Sequence, residues 1–437
     1  MVGERVTKVR FARRRAGTTK GAPRGPAECK MSRSPFRLQG VILRCVKLEM
    51  KAELLKELAL EGATPSPDIG LRAGVDQLHP TYRGRAVVSF ASWDLLDLHR
   101  RREISASIVQ AIEQFGAVSG VSRFSGAMTP VHAKTEQRIA QFFAAESGLI
   151  FSSRNQTILT CITTLCSEGW VILGNALAPL PLADAGALVG AEFHEFDSDE
   201  SLRALLERHQ LAKRVLVVAE SVASVTGEQV LKPHTWSALE QLGAWVLVDE
   251  SAALGLTGIR GAGSAESQPK SSALLGRLLS FGPAFGIDVT GLLISNEFRE
   301  LVLKRSRYLR VEPPPPAALV SAAEKALDLV ELAIPQRERI STRSRMVETA
   351  LRSQGWSVLG GGEVPVLSVW FESLLKARAV QDALLQRGVF VEALPARGLR
   401  RNGAVLRVLV SSSHSPQEVE RLVDGFAEVF RRGALDQ

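Results

Sequence analysis

The chain has 437 residues, of which 45% are apolar and 23% charged. That is the balance of a folded protein long enough for two or three structural units around a sizeable core. No apolar run reaches the roughly 18–20 residues that a membrane-spanning helix needs. Charge is uneven: residues 1–49 hold 13 basic and 3 acidic residues, and the remainder holds 41 and 43. The net charge of +8 therefore belongs to the tail. Phe11 and Phe36 are the tail's only aromatics, too few beside its arginines for it to be read as a nucleic-acid footprint.

The tail includes "RFARRRAGTTKGAPRGPAECKMSRSPFR". Its Arg, Gly, Pro and Ser content predicts a disordered leader, or an upstream extension with the start at Met31 or Met50. An Arg-rich, acid-poor transit peptide is the alternative. Residues 50–110 form an N-terminal arm, and a mainly parallel α/β unit is expected over 111–320. Its strands are predicted at "GLIFS" (148–152), "WVIL" (170–173), "AEFHEF" (191–196), "RVLVVAE" (214–220), "AWVLVDE" (244–250), "RLLSF" (277–281) and "GLLIS" (291–295). Short apolar runs of this kind suit strands covered on both faces. Most are separated by amphipathic helical stretches such as 130–146 and 233–243, the alternation of an α/β fold. "EPPPPAAL" (312–319) punctuates the chain, and one long helix is predicted from there to about residue 353.

A smaller α+β unit is expected over 321–437. Its strands are predicted at "PVLSVWF" (365–371), "GVFVEAL" (388–394) and "AVLRVLVSS" (404–412). The closing helix starts at a capping box of Ser415 and Glu418, with Pro416 at its first position. Cys161 and Cys166 lack metal-site spacing and lie in an apolar helical pattern, so both are expected to be reduced and buried. The seven histidines are scattered, and no metal cluster or Ser–His–Asp arrangement is predicted.

Taken in order, several stretches resemble the α-oxoamine synthases over about residues 85–432. These are "SFASWDLLDL" (89–98), "GAVSGVSRFSGAMTPVHAKTEQRIAQF" (116–142), "AESVASVTGEQVLKP" (219–233), "VDESAALGLTGIRGAG" (248–263) and "LRVLVSSSHSPQEVERLV" (406–423). That family comprises enzymes of PLP-dependent fold type I that condense an amino acid with an acyl thioester. They include 8-amino-7-oxononanoate synthase and serine palmitoyltransferase. The resemblance places Arg123, Gly126, His132 and Glu136 at family positions.

Carried over residue by residue, the resemblance departs where pyridoxal phosphate (PLP) would be held. The Schiff-base lysine is the amine that PLP chemistry needs. Aligned on "SFGPAFG", its position is Pro283. Lys270, in "SQPKSSALLG", lies too close to the Gly261–Gly263 turn to replace it and reads as a loop lysine. Asp249 stands where the family pairs an acid with the pyridine nitrogen, or it ends a strand as a plain polar cap. Pro179 stands at the ring-stacking histidine and Ala252 at a second family histidine. Arg154 and Asn155 replace the glycine and aromatic of the phosphate cradle. An arginine there pairs with an anion or fills the space that glycine leaves. Val311 and Glu312 replace a Ser-Thr pair, and a glutamate there repels phosphate.

Asp249, Ser224 and Ser280 are therefore read as remnants of cofactor binding, and Arg123 and Arg407 as remnants of substrate binding. PLP is expected not to be bound covalently. The expected function is a non-catalytic or degenerate member of the family, a scaffold or regulatory subunit of a dimer. The dimer is a homodimer or a heterodimer with an active paralogue, in the cytoplasm and without nucleic acid. The alternative is an active PLP-dependent acyl-CoA:amino acid acyltransferase.

Overall fold

In the computed structural model the residues described are 71–72, 74, 76–118, 120–176, 181–266, 271–361, 364–396 and 403–431. The basic tail, Pro179 and Lys270 lie outside them. Seven strands build the main sheet: β1 (Ser147–Phe151), β2 (Trp170–Asn175), β3 (Glu192–Phe196), β4 (Arg214–Glu220), β5 (Trp245–Asp249), β6 (Leu274–Ser280) and β7 (Thr290–Ile294). Their order is β1-β7-β6-β5-β4-β2-β3. Only β7 runs against its neighbours; the other pairings are parallel. This is the α/β architecture expected.

The apolar runs read as strands because both faces are covered. Ile172, Leu216, Val218 and Leu247 point into one core with Ile158, Cys161 and Ile162 of the helix Arg154–Leu165. Their alternates Val171, Leu173, Val217 and Val246 join Leu202, Leu206, Trp236 and Leu239 of two helices on the other face. Cys161 and Cys166 are free and buried, and burial pushes both thiols up to about 12.

An antiparallel sheet follows in the order β8-β9-β11-β10: β8 (Val358–Gly360), β9 (Val366–Phe371), β10 (Glu392–Pro395) and β11 (Ala404–Leu409). It packs on the helices Leu374–Gln386 and Pro416–Arg431 through Val380, Leu384, Leu422 and Phe426. Ser415 and Glu418 form the predicted cap: Glu418 N–H donates to Ser415 Oγ at 3.3 Å, and Ser415 N–H to Glu418 Oε2 at 2.6 Å.

Two expectations are corrected. The long helix after "EPPPP" is two helices, Ala317–Glu331 and Ile334–Ser353. Pro335 opens the second, where a proline lacks only an N–H that the first turn would leave unpaired. The stretch 388–394 is two strands, not one. Val389–Phe390 pairs with Val88–Ser89 of the N-terminal arm, and Glu392–Pro395 pairs with β11.

His414 ties the arm to the rest. Its Nδ1 accepts from Ser411 N–H at 2.9 Å, its Nε2 donates to the Ser89 carbonyl at 3.0 Å, and its ring stacks on Phe90 at 4.0 Å. Burial pushes the imidazole down from 6.5 to about 4. The unfolded chain therefore takes up a proton that the folded chain refuses. Stability should fall by about 3 kcal/mol as pH drops from about 6.5 towards 4. Urea unfolding across that range should lose this dependence in His414→Gln. At Gly360, φ is +78° and an added Cβ would lie 1.8 Å from the Thr226 carbonyl oxygen. Gly360→Ala should cost about 1–3 kcal/mol in the same measurement.

Candidate functional site

In an open sheet of parallel strands, the C-terminal strand ends are where ligands dock. Here β2, β4, β5 and β6 each end on a polar residue: Asn175, Glu220, Asp249 and Ser280. Glu220 and Asp249 are direct register partners on adjacent strands, 2% and 1% exposed. Two carboxylates opposed in a dry environment repel each other and need a cation.

Arg154 supplies it. As the first residue of the helix after β1, it aims its guanidinium across the strand ends. Its Nε donates to Asp249 Oδ2 at 2.5 Å and its Nη2 to Glu220 Oε1 at 3.0 Å. Burial works against the arginine's charge, but Asp249 and Glu220 outweigh it and hold the guanidinium above its ordinary value. Burial likewise pushes the Glu220 carboxyl up, against the pull of Arg154.

The remaining lone pairs are also taken. Asp249 Oδ1 accepts from Ser251 N–H at 2.9 Å and from the Ser251 hydroxyl. Ser251 Oγ in turn accepts from Ser280 N–H at 3.1 Å. Glu220 Oε2 accepts from Ser224 N–H at 3.1 Å, and Asn175 Oδ1 accepts from Glu220 N–H at 3.1 Å. Arg407 continues the chain: its Nη1 donates to the Ser224 carbonyl at 3.1 Å and its Nη2 to Glu392 Oε2 at 2.5 Å. Its guanidinium also lies over the Trp93 ring at 5.1 Å.

The structure thus brings Asp249, Ser280, Ser224 and Arg407 into one connected network. Arg123 stands elsewhere. It meets Glu136 through two bonds of 2.7 Å, and Glu136 Oε1 also accepts from Ile150 N–H at 3.2 Å. His132 is fully buried, with Nε2 donating to the Pro315 carbonyl at 2.8 Å. Burial lowers its proton affinity. Sequence reading singled out Arg154 as able to pair with an anion but did not identify Asp249, 95 positions away, as that anion. It also missed Glu220 and Glu392. An arginine at a family glycine, alongside a retained strand-end acid, was the signal available.

These residues do not fit PLP. The acid that would face the pyridine nitrogen is already bonded to a guanidinium. Pro283 has no amine, and it lies in the short helix Gly282–Phe285, where its carbonyl accepts from Asp94 N–H at 2.7 Å. Ala252, at a family histidine, is buried. The first turn after β1 carries the Arg154 side chain where a cradle needs open backbone.

A sequence profile described as aminotransferase class I and II matches residues 85–426. An 8-amino-7-oxononanoate synthase of Geobacter sulfurreducens is 27% identical over 350 residues, covering 79% of this chain and 89% of that one. The Sphingomonas wittichii serine palmitoyltransferase structure superposes with a TM-score of 0.76 at 22% identity, over 89% of this chain and 98% of that one. A structure of SPT with PLP as internal aldimine gives a TM-score of 0.77 at 21% identity, over 88% and 98%. Those likenesses carry the type I fold.

Arg123→Met should leave the buried Glu136 with only the Ile150 N–H and the Arg299 guanidinium 3.6 Å away and cost about 3 kcal/mol in chemical unfolding, while Arg123→Met with Glu136→Gln recovers most of the loss.

Proposed function

We propose, given that this chain belongs to the aminotransferase class I and II family and is similar to its α-oxoamine synthases, that it is a non-catalytic member acting as a scaffold or regulatory subunit of a dimer. The observation that carries this reading is the Arg154–Asp249 contact, with Pro283 at the Schiff-base position. PLP chemistry needs an amine to hold the aldehyde and an acid free to keep the ring an electron sink. This chain offers neither at those positions. Arg407 is likewise committed to Glu392, and Arg123 to Glu136. The fold keeps its sheet, caps and tight turns, as expected of a chain selected for shape.

Shape is what a partner subunit requires. Phe124 and Val311 are 54% and 76% exposed, and Arg310 lies over the Phe124 ring at 6.0 Å. Val118 and Val121 are exposed close to Phe124 in sequence. An apolar surface of this kind suits a second subunit, either a copy of this chain or an active paralogue. No helix among the described residues is long and apolar enough to cross a membrane.

The test is an absorbance spectrum of the purified protein between roughly 300 and 500 nm, with added PLP and then borohydride. The expected result is no protein-bound band and no label fixed by reduction. A band near about 420 nm that reduction fixes to a lysine would establish an aldimine and restore the acyltransferase reading. Sedimentation with and without candidate paralogues should report a dimer.

A further inference from the structure

We infer that Arg154 is a built-in replacement for the cofactor's cationic ring: its guanidinium is the counter-ion that lets Glu220 and Asp249 stay buried with no ligand bound. The inference rests on the proposed loss of PLP chemistry and adds what took the cofactor's place. Three observations carry it. The two acids end neighbouring strands in direct register, so their repulsion is fixed by the sheet and cannot relax by rotating one strand away. Both are almost wholly buried, whereas the Arg154 side chain is 21% exposed and lies between them and solvent. Asp249 Oδ2 lies 2.5 Å from both Nε and Nη2 of Arg154, and Nη2 also donates to Glu220 Oε1 at 3.0 Å.

The pair's hydrogen-bond partners come from four elements. Arg154 comes from the helix after β1, Asn175 from β2, Ser224 from the turn after β4 and Ser251 from the turn after β5. Arg154 is the sole cation among these direct partners. Arg407, the next cation, reaches the network only through the Ser224 carbonyl and is neutralised by Glu392. Removing Arg154 therefore leaves two opposed carboxylates with only neutral donors. Glu220, already pushed up by burial, then loses the attraction that opposes this, and its proton affinity rises further above that in the unfolded chain. Stability is lost as pH climbs from the acid range to neutrality.

The experiment compares thermal unfolding of the wild type, Arg154→Gly, Arg154→Lys and the triple variant Arg154→Gly/Glu220→Gln/Asp249→Asn at pH 5 and pH 8. Arg154→Gly should lose roughly 5–10 °C of Tm at pH 8 and clearly less at pH 5. Arg154→Lys should recover part of that loss. The triple variant should regain most of it, because no buried charge remains. An equal loss at both pH values with no recovery in the triple variant would mean that Arg154 only fills space, and would overturn the inference. If Arg154→Gly does not fold, the triple variant decides: a folded triple supports the counter-ion role and an unfolded one overturns it. The wild-type spectrum with PLP separates the two claims. A PLP adduct there sinks the proposed function, whereas a failed charge cycle without an adduct sinks only the counter-ion role.

Discussion

Two carboxylates held side by side at the ends of adjacent parallel strands set the terms for this molecule. The sheet register fixes Glu220 against Asp249, and burial removes the water that would screen them. Such a pair persists if a cation sits on it or one carboxyl keeps its proton, and here a cation does. Arg154 does so from the first turn of a helix whose strand, β1, lies at the far edge of the sheet. Ser251 and Ser224 complete the coordination with neutral donors, and Asn175 Oδ1 accepts the Glu220 N–H. The polar end of the sheet is thereby closed on itself.

The same economy appears at the other charged positions. Arg407 has Glu392, and Arg123 has Glu136, which also receives a backbone N–H of β1. Glu250, one residue past Asp249, is fully buried with Arg277 and Ser264 as partners. In an enzyme of this fold, charges near the strand ends are expected to wait for a substrate or cofactor. Here each of those named has an internal partner.

Much of this was legible in the sequence. The strands could be read because fully covered strands are continuous apolar runs, and β4 matches the stretch 214–220 residue for residue. The capping box at Ser415 and Glu418 was equally local. The break at residues 332–333 was not visible, because Leu332, Ala333 and Ile334 continue the apolar pattern and proline is tolerated in a helix's first turn. The change of partner inside 388–394 was hidden for a similar reason: strand propensity does not say which strand is the neighbour. Pro283 and Arg154 were visible as departures from a family pattern. That Arg154 answers Asp249 was not, since it depends on sheet order, which places the end of β1 within reach of β5 across two intervening strands.

We propose that the Arg154–Asp249 contact closes this site to PLP. The most direct test is calorimetric titration of PLP into the purified wild-type chain, which registers non-covalent as well as covalent binding. No saturable heat is expected. A saturable isotherm with one PLP per chain would contradict the proposal, because Asp249 and Arg154 would have to separate to admit the ring.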